Sequence, residues 1–485
     1  MIIPSDVDGE DISFTVHEPD ILEDGVTYPL VLQGHGYGGS KISATNRSSG
    51  SLYGLLSRGY GMISIDQRGF GQSGGTIRLF DPEFEGKDLL QILDWAEANL
   101  PWLQYSNPGS PDANLVLGAI GASYGGGYQH TIYALDPKKR MDAIAPEITW
   151  HDLRYSLFSG NVFKSYWASI LSGLGNGTGN QDPEVNEGLT QGLTTNSLDQ
   201  DKLDLLYRHS IISHCEGNNN ATHGDGSPLE PMDALYWQSA RDTLFNMNGM
   251  VDNVNCLTAL GGDVRMLTKI NGHDAGDAEA CGALDKIQSI RDWFDEKLKG
   301  EANKASYIPK FCFSLGESGT DAAVALAFPL STGDYDIGSN SIIASSSSTQ
   351  STSVVLTTIA EDNTILAGIP TVSLNVADAT PGEPEAGDPI LFLGIGIRES
   401  GASSDTLVMA NQVRPIRGYG DFNVELVGVN VRVQAGDEVR LLIYSGYSMR
   451  YPNSGSSSPA AVTVTGTASI PLLPASTPAP PSNTE

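Results

Sequence analysis

Between residue 28 and about residue 300, short apolar runs alternate with stretches whose apolar residues recur at helical spacing. The runs YPLVLQGHG, GYGMISIDQRG, ANLVLGAIG, MDAIAPEITW, MDALYWQSARD and DVRMLTKINGH each read as a strand ending in a polar or glycine-rich stretch. Strands alternating with helices predict a mostly parallel α/β sheet, whose carboxyl edge carries the ligand-binding loops. The last helix of the series, LDKIQSIRDWFDEKLKG, puts Ile287, Ile290, Phe294 and Leu298 on one face and stops at Gly300. Residues 151–230 break the alternation with GLGNGTGN and HCEGNNNATHGDGS. Inserted between two strands of the sheet, they predict a cap over its functional edge.

After residue 310 the texture changes to short alternating segments: TVSLNVAD, PILFLGIGIR, FNVELVGVNVRV, DEVRLLIYSGY and AAVTVTG. Apolar positions two apart, such as Val424 and Leu426, or Val439, Leu441 and Ile443, predict an antiparallel β-sandwich. ASSSSTQSTS reads as a polar loop, and no repeat of solenoid period is visible. A chain of 485 residues exceeds one ordinary core. The expected division is 1–310 with a cap near 151–230, a sandwich over 311–472, and a Pro/Ser/Thr-rich tail over 473–485.

Acids outnumber bases 58 to 28, a formal charge of −30. Such a surface is well solvated, disfavours nucleic acid and anionic membranes, and suits neutral substrates. No run of about 18 apolar residues is present to cross a bilayer, so membrane insertion is not expected. The four cysteines (215, 256, 281 and 312) form no C-x-x-C pair and no zinc-finger spacing. No metal or cofactor is expected, and one or two disulfides are left open. MIIPSDVDGEDISF lacks the basic start and long apolar stretch of a signal peptide, while the tail composition is common in exported proteins. The expectation is an exported, mature chain. DVDGED at 6–11 lacks full EF-hand spacing and reads as an acidic loop.

Candidate chemistry begins at GASYG, residues 121–125, where Ser123 stands between a strand and a helix. G-x-S-x-G in that context is a nucleophile elbow, whose glycines let a tight turn lift the serine oxygen above the sheet. A serine hydroxyl needs a base, and the base an orienting carboxylate, following the serine in the order Asp/Glu, His. Asp242, closing ALYWQSARD, and His273, in INGHDAG past the last parallel strand, satisfy that order. Asp233 precedes its strand and Asp252 falls on the next helix. His17 precedes the sheet, His130 follows the elbow, and His151, His209, His214 and His223 lie in or beside the cap. Oxyanion donors are expected from the N–H of Tyr124 and from Tyr37 in GHGYGGS, a glycine-rich loop after a strand. DQRGFGQSGG at 66–75 reads as a connection. Trp150, Tyr155 and Trp167 are candidates for an acyl pocket, with cap-core packing as the alternative.

In the order HGYGG, DQRGFGQSGG, GASYGG, ITWHDLRYSL, RDTLFN and GHDAG, followed by a β-rich region, the chain resembles the cocaine-esterase and X-Pro dipeptidyl-peptidase group of α/β-hydrolases. The resemblance implies Ser123, Asp242 and His273 as nucleophile, acid and base, and a noncatalytic, jelly-roll-like C-terminal domain. In cocaine esterases a tyrosine hydroxyl of the first loop helps form the oxyanion hole, so the side chain and backbone of Tyr37 are both candidates. No cap motif matches dipeptide recognition.

The expected activity is therefore hydrolysis of small or polymeric esters or amides by a serine hydrolase. One alternative is an X-Pro dipeptidyl-peptidase, in which Glu184, Glu187 and Asp199 are candidates to bind an amino terminus. Another is a polymer- or carbohydrate-binding protein with an inactive hydrolase domain. Oligomeric state and acyl preference are not legible.

Overall fold

Runs of Leu, Val and Ile buried on both faces need cover on both sides, and the chain supplies it with helices. The computed structural model describes residues 1–216, 228–273, 280–316, 320–345, 350–379, 387–452 and 454–481. His223, most of HCEGNNNATHGDGS, the middle of ASSSSTQSTS, the end of GHDAG and the end of the tail lie outside the described residues.

The main sheet contains, among the described residues, β1 (Ile2–Pro4), β2 (Asp11–His17), β3 (Leu30–Gly34), β4 (Gly61–Ile65), β5 (Leu117–Ala122), β6 (Met141–Glu147), β7 (Asp233–Ser239), β8 (Val264–Lys269), β9 (Phe311–Ser314) and β10 (Ala322–Ala325). Their order is β1-β2-β4-β3-β5-β6-β7-β8-β9-β10. Strands β3 to β9 run parallel, and the antiparallel pairs lie at the two edges. The helices are α1 (Glu85–Asn99), α2 (Tyr124–Leu135), α3 (Leu153–Phe158), α4 (Ser165–Thr178), α5 (Pro183–Thr195), α6 (Gln200–Arg208), α7 (Ile212–Cys215), α8 (Met247–Ala259) and α9 (Lys286–Lys299).

One sheet face packs Leu32, Ile63, Leu117 and Met266 against Leu89, Ile92 and Leu93 of α1, Ile132 of α2 and Met250 of α8. The opposite face packs Val31, Met62 and Ile120 against Ile290, Trp293, Phe294 and Leu298 of α9. Each such side chain contributes about 1.5–3 kcal/mol by leaving water. On α9 the expected apolar stripe is displaced: Trp293 is buried, Ile287 is half-buried, and Gly300 closes the helix at φ 71°.

Helices α3 to α7 fill the insertion between β6 and β7. The sheet itself continues past residue 310, because Met266 of β8 pairs in register with Phe311. The change of architecture expected at 311 therefore falls after Ala325. Beyond it, Ala460–Ile470 pairs with Thr371–Asp378, which pairs with Gly420–Glu425. A second sheet joins Ser351–Thr358, Glu438–Tyr444 and Ile390–Arg398. All these pairs are antiparallel, and Leu374, Val376, Val462 and Val464 of one sheet meet Leu393, Ile395, Leu441 and Ile443 of the other in a common core. The described part of the tail does not run free as a linker: Val324 N–H donates to Pro478 O at 2.8 Å.

Candidate active site

Strand β5 delivers the chain to a turn that only glycine-flanked sequence can make. Ser123 sits at φ 59°, ψ −120°, a conformation costly for a residue with a Cβ. Gly121, at φ 148°, has no room for a side chain: a Cβ there would lie 2.3 Å from Gly125 O. At Gly125 it would lie 2.2 Å from Gly34 O, at Gly126 2.6 Å from Thr149 Cβ, and at Gly127 2.2 Å from the Trp150 ring. The run of three glycines thus lets α2 start directly against β3 and the chain after β6. Ser123 N–H donates to Glu147 O at 3.0 Å, and Thr149 Oγ donates to Ser123 O at 3.0 Å, so β6 holds the turn.

Ser123 Oγ donates to His273 Nε2 at 2.9 Å, and His273 Nδ1–H donates to Asp242 Oδ2 at 2.7 Å. Asp242 is fully buried. Its other oxygen, Oδ1, accepts from the N–H groups of Leu244 at 2.8 Å and Phe245 at 3.0 Å. The imidazole is flanked by Trp167 and Phe245, each edge-on at 5.2 Å between ring centroids. This order of donors can accept the serine proton at Nε2 while the carboxylate stabilises the resulting imidazolium.

Tyr124 opens α2, where the first N–H groups of a helix lack intrahelical acceptors. Across the cleft, the His35 ring ties down the other loop: Nδ1–H donates to Gly36 O at 2.8 Å, and Nε2 accepts from Gln67 N–H at 3.0 Å. That pattern needs a neutral ring, and burial lowers its pKa accordingly. The Tyr37 ring packs edge-on against Phe70 at 5.0 Å and Tyr124 at 5.3 Å. Its hydroxyl reaches α4, where a Cβ on Gly175 would lie 2.6 Å away. Burial pushes that hydroxyl's pKa upward, so it keeps its proton as a donor.

Ser123 opens into a cleft between the sheet edge and the cap. Tyr37, Tyr124 and Trp150 line it together with Leu157, Leu171, Leu189 and Leu206 from the cap. Among the described residues, no group of three or more His, Cys, Asp or Glu side chains is arranged to hold a metal ion.

Residues 8–270 match the family described as X-Pro dipeptidyl-peptidase (S15 family). The chain belongs to this family. The S15 chain is also similar to two curated Escherichia coli proteins, each described as an uncharacterized 31.7 kDa protein in the traX-finO intergenic region, at 27% identity over 165 residues. That match covers 34% of this chain and spans about half (51%) of each relative's length. Among solved structures, a CocE/NonD family hydrolase from Staphylococcus aureus superimposes with a TM-score of 0.68 at 14% identity, over 98% of this chain and 93% of that one. An α-amino acid ester hydrolase gives 0.66 at 14% identity, over 98% and 96%. An aminopeptidase from a Thaumarchaeota archaeon gives 0.64 at 13% identity, again over 98% and 96%. These likenesses show the fold: an α/β-hydrolase sheet with an inserted cap, followed by a β-sandwich.

Several residues singled out in the S15 chain lie elsewhere than expected. Trp150 lines the cleft, but Trp167 abuts His273 instead and donates from Nε1 to Thr243 Oγ at 2.9 Å. Tyr155 is turned away: its hydroxyl accepts from Asn246 Nδ2 at 3.1 Å, and the Arg414 guanidinium of the sandwich lies 5.0 Å from its ring centroid. Glu184 and Glu187 approach Lys202 at 3.6 and 3.1 Å, while Asp199 is exposed at the start of α6. In the 6–11 loop, Asp8 meets the buried Arg68 at 2.8 Å. Residues 66–75 do not line the cleft, but Gln67 and Phe70 brace the loop of His35 and Tyr37. Asp242 lies three residues beyond the end of β7.

Sequence reading missed what holds that turn. The buried Lys164 ammonium donates to the carbonyls of Thr243 at 3.1 Å and Leu244 at 3.2 Å, and Gln412 Nε2 of the sandwich donates to Ala240 O at 2.8 Å. Burial lowers the Lys164 pKa to about 8, against the pull of the Asp242 charge. It also missed Glu147, behind the elbow. Burial alone would raise that carboxyl, but Lys286 and Lys269, with the Tyr53 hydroxyl, hold it at about 2. The cysteines pair as Cys215–Cys256 and Cys281–Cys312. The first ties the end of the cap to α8, and the second ties the chain beyond His273 to β9.

Proposed function

We propose that the protein is a serine hydrolase that cleaves carboxylic ester or amide bonds through an acyl-enzyme. His273 takes the Ser123 proton as Oγ bonds to the acyl carbon, and Asp242 holds the ring and balances its charge. The oxyanion is received by the Tyr124 N–H and by Tyr37. The proton passes to the departing alcohol or amine as its bond to the acyl carbon breaks; water then gives a proton to His273 as its oxygen bonds to the acyl carbon, the bond from Oγ to that carbon breaks, His273 returns the proton to Oγ, and the acid leaves. The single observation that carries this reading is the chain of two hydrogen bonds, 2.9 and 2.7 Å, from a strained serine to a buried carboxylate.

The experiment compares the protein with Ser123→Ala on nitrophenyl acyl esters and on an X-Pro nitroanilide. Loss of turnover by several orders of magnitude is expected; in another serine hydrolase removing the nucleophile costs about 10⁶ in kcat. An undiminished variant would sink the assignment, and inactivity of the unaltered protein on every substrate would favour a binding role. The family's description favours the anilide as a second substrate class. An exported setting is supported by both disulfides, which persist in oxidising compartments. Finding the protein only in the cytoplasmic fraction of its source cells would refute that. The sandwich, jelly-roll-like and noncatalytic in this reading, serves to brace the Asp242 turn.

A further inference from the structure

From the cleft above Ser123 we infer the substrate class: esters whose acyl part is a long apolar chain, seated between the cap helices, in preference to dipeptides with a free amino terminus. The inference rests on the serine-hydrolase reading and commits it to one side of the bond.

The wall of the cleft is mostly apolar, with aromatic rings near Ser123, leucines from the cap, and Gln181, Glu184 and Lys202 as its polar members. Leu157, Leu171, Leu189, Leu205 and Leu206 come from α3, α4, α5 and α6, and Phe245 closes the side nearest His273. Where Lys202 lines the cleft, its stem does the lining: a Cβ on Gly188 would meet Lys202 Cδ at 3.6 Å and Cγ at 3.8 Å. Its ammonium is drawn off by Glu187 and Asp201, each at 3.1 Å. A long cationic side chain that keeps its stem on apolar surface and its head among carboxylates leaves the wall greasy. A protonated amino terminus needs a carboxylate to meet it once it is desolvated. The carboxylate lining this cleft, Glu184, is half-exposed and so is met by water, and it stands 3.6 Å from an ammonium it shares with Glu187 and Asp201. An alkyl chain needs no such partner and gains from every methylene it removes from water.

The inference assigns this cavity to the acyl side of the reaction: it opens from Ser123 beneath the cap, and the part of the substrate that remains bonded to Oγ after the alcohol leaves is placed there. Acyl length should therefore govern the rate of acyl-enzyme formation.

The test uses the full-length protein and nitrophenyl esters from acetate to dodecanoate, beside an X-Pro nitroanilide. Burial of each methylene is worth about 0.8 kcal/mol, or roughly fourfold in kcat/KM, so activity should rise steeply from acetate until the cleft is full. Two variants in the wall, Leu171→Trp and Leu189→Trp, should move the optimum to shorter chains, with circular dichroism confirming that each is folded. Both positions are half-buried on cap helices. A serine-dependent enzyme that is fastest on acetate, or on the anilide, would overturn the inference and leave the hydrolase reading standing. Turnover that survives Ser123→Ala would instead overturn that reading. An optimum unmoved in both tryptophan variants would show that the chain lies elsewhere, and would also refute the inference.

Discussion

Replacing Asp242 with Asn isolates what the buried carboxylate does, because its surroundings dictate how the amide must sit. Oδ1 of Asp242 accepts two backbone N–H groups, from Leu244 and Phe245, and Oδ2 accepts from His273. In Asp242→Asn the amide oxygen keeps the two backbone donors, since turning the NH₂ toward them would strand two buried N–H groups at about 1–3 kcal/mol each. The NH₂ therefore faces His273 Nδ1, which must become an acceptor. The ring proton moves to Nε2, and Nε2 can no longer take the proton of Ser123. The same exchange in another serine hydrolase lowers kcat by about 10⁴, about 5.4 kcal/mol of transition-state stabilisation. Steady-state kinetics on a nitrophenyl ester, with circular dichroism to confirm folding, should show a loss of that order in kcat. Asp252→Asn, on α8, should stay within about twofold. A kcat for Asp242→Asn within tenfold of the unaltered protein would refute the assigned geometry.

Three other perturbations test the supports of the site. Gly125→Ala would put a Cβ 2.2 Å from Gly34 O, a backbone atom that cannot rotate away, so it should destabilise by roughly 1–3 kcal/mol or more and lower activity. Gly173→Ala, whose Cβ would meet nothing within 4 Å, should be neutral or stabilising in thermal unfolding; equal behaviour of the two would contradict the packing argument. Lys164→Met removes both donors to the 243–244 carbonyls, and a drift of the Asp242 turn by about 1 Å should cost on the order of 10²-fold in kcat with KM little changed; Lys164→Arg, which keeps donors, should recover part of the loss, and a kcat within twofold for the Met variant would dismiss the clamp. Glu147 has its pKa held at about 2, below the ordinary 4.5, so the stabilisation from its ion pairs is complete above pH 4.5 and is lost as pH falls toward 2. Urea unfolding followed from pH 6 to 3 should show this acid limb, and Glu147→Gln should flatten it.

Strand runs between residues 28 and 270 were legible because a buried parallel strand is a near-continuous apolar run, and six such runs became β3 to β8. The elbow was legible for a different reason: G-x-S-x-G encodes a backbone clash that glycine alone avoids, and the structure shows the contacts behind both outer glycines. Asp242 and His273 were found by chain order and lie within hydrogen-bond reach of one another and of Ser123. The rest was hidden because it depends on contacts far apart in sequence. Lys164 sits at the entry to a cap helix and meets carbonyls 79 and 80 residues away, and Gln412 reaches back 172 residues. Nothing local marks either residue. Tyr155 does not line the cleft because its ring packs under Arg414, contributed by the sandwich, and its hydroxyl bonds to Asn246. Four cysteines allow three full pairings, and spacing does not choose among them.

The three residues of the site are held by three different means, and this explains why the chain needs its cap and its sandwich. Ser123 is fixed by the sheet: a strained turn, closed on one side by Gly34 and on the other by Glu147. His273 follows β8 and is flanked by two aromatic rings, with Cys281 tied to β9 beyond it. Asp242 lies past the end of its strand at Ser239, on an irregular turn that the chain leaving β8 holds only at its start, through the N–H groups of Ala240 and Arg241. Irregular backbone stays in one place only when its polar groups are satisfied from outside. The cap supplies Lys164 to the carbonyls after Asp242, and the sandwich supplies Gln412 to a carbonyl before it. The same two bodies grip one another through Arg417, which donates to Asn196 O at 2.6 Å and Asn161 O at 3.0 Å. A displacement of the sandwich is therefore transmitted to Asp242 directly through Gln412 and indirectly through the cap and Lys164. Among the described residues of the C-terminal region none hydrogen-bonds to the side chains of Ser123, His273 or Asp242, yet kcat should depend on that region as strongly as on the turn it holds.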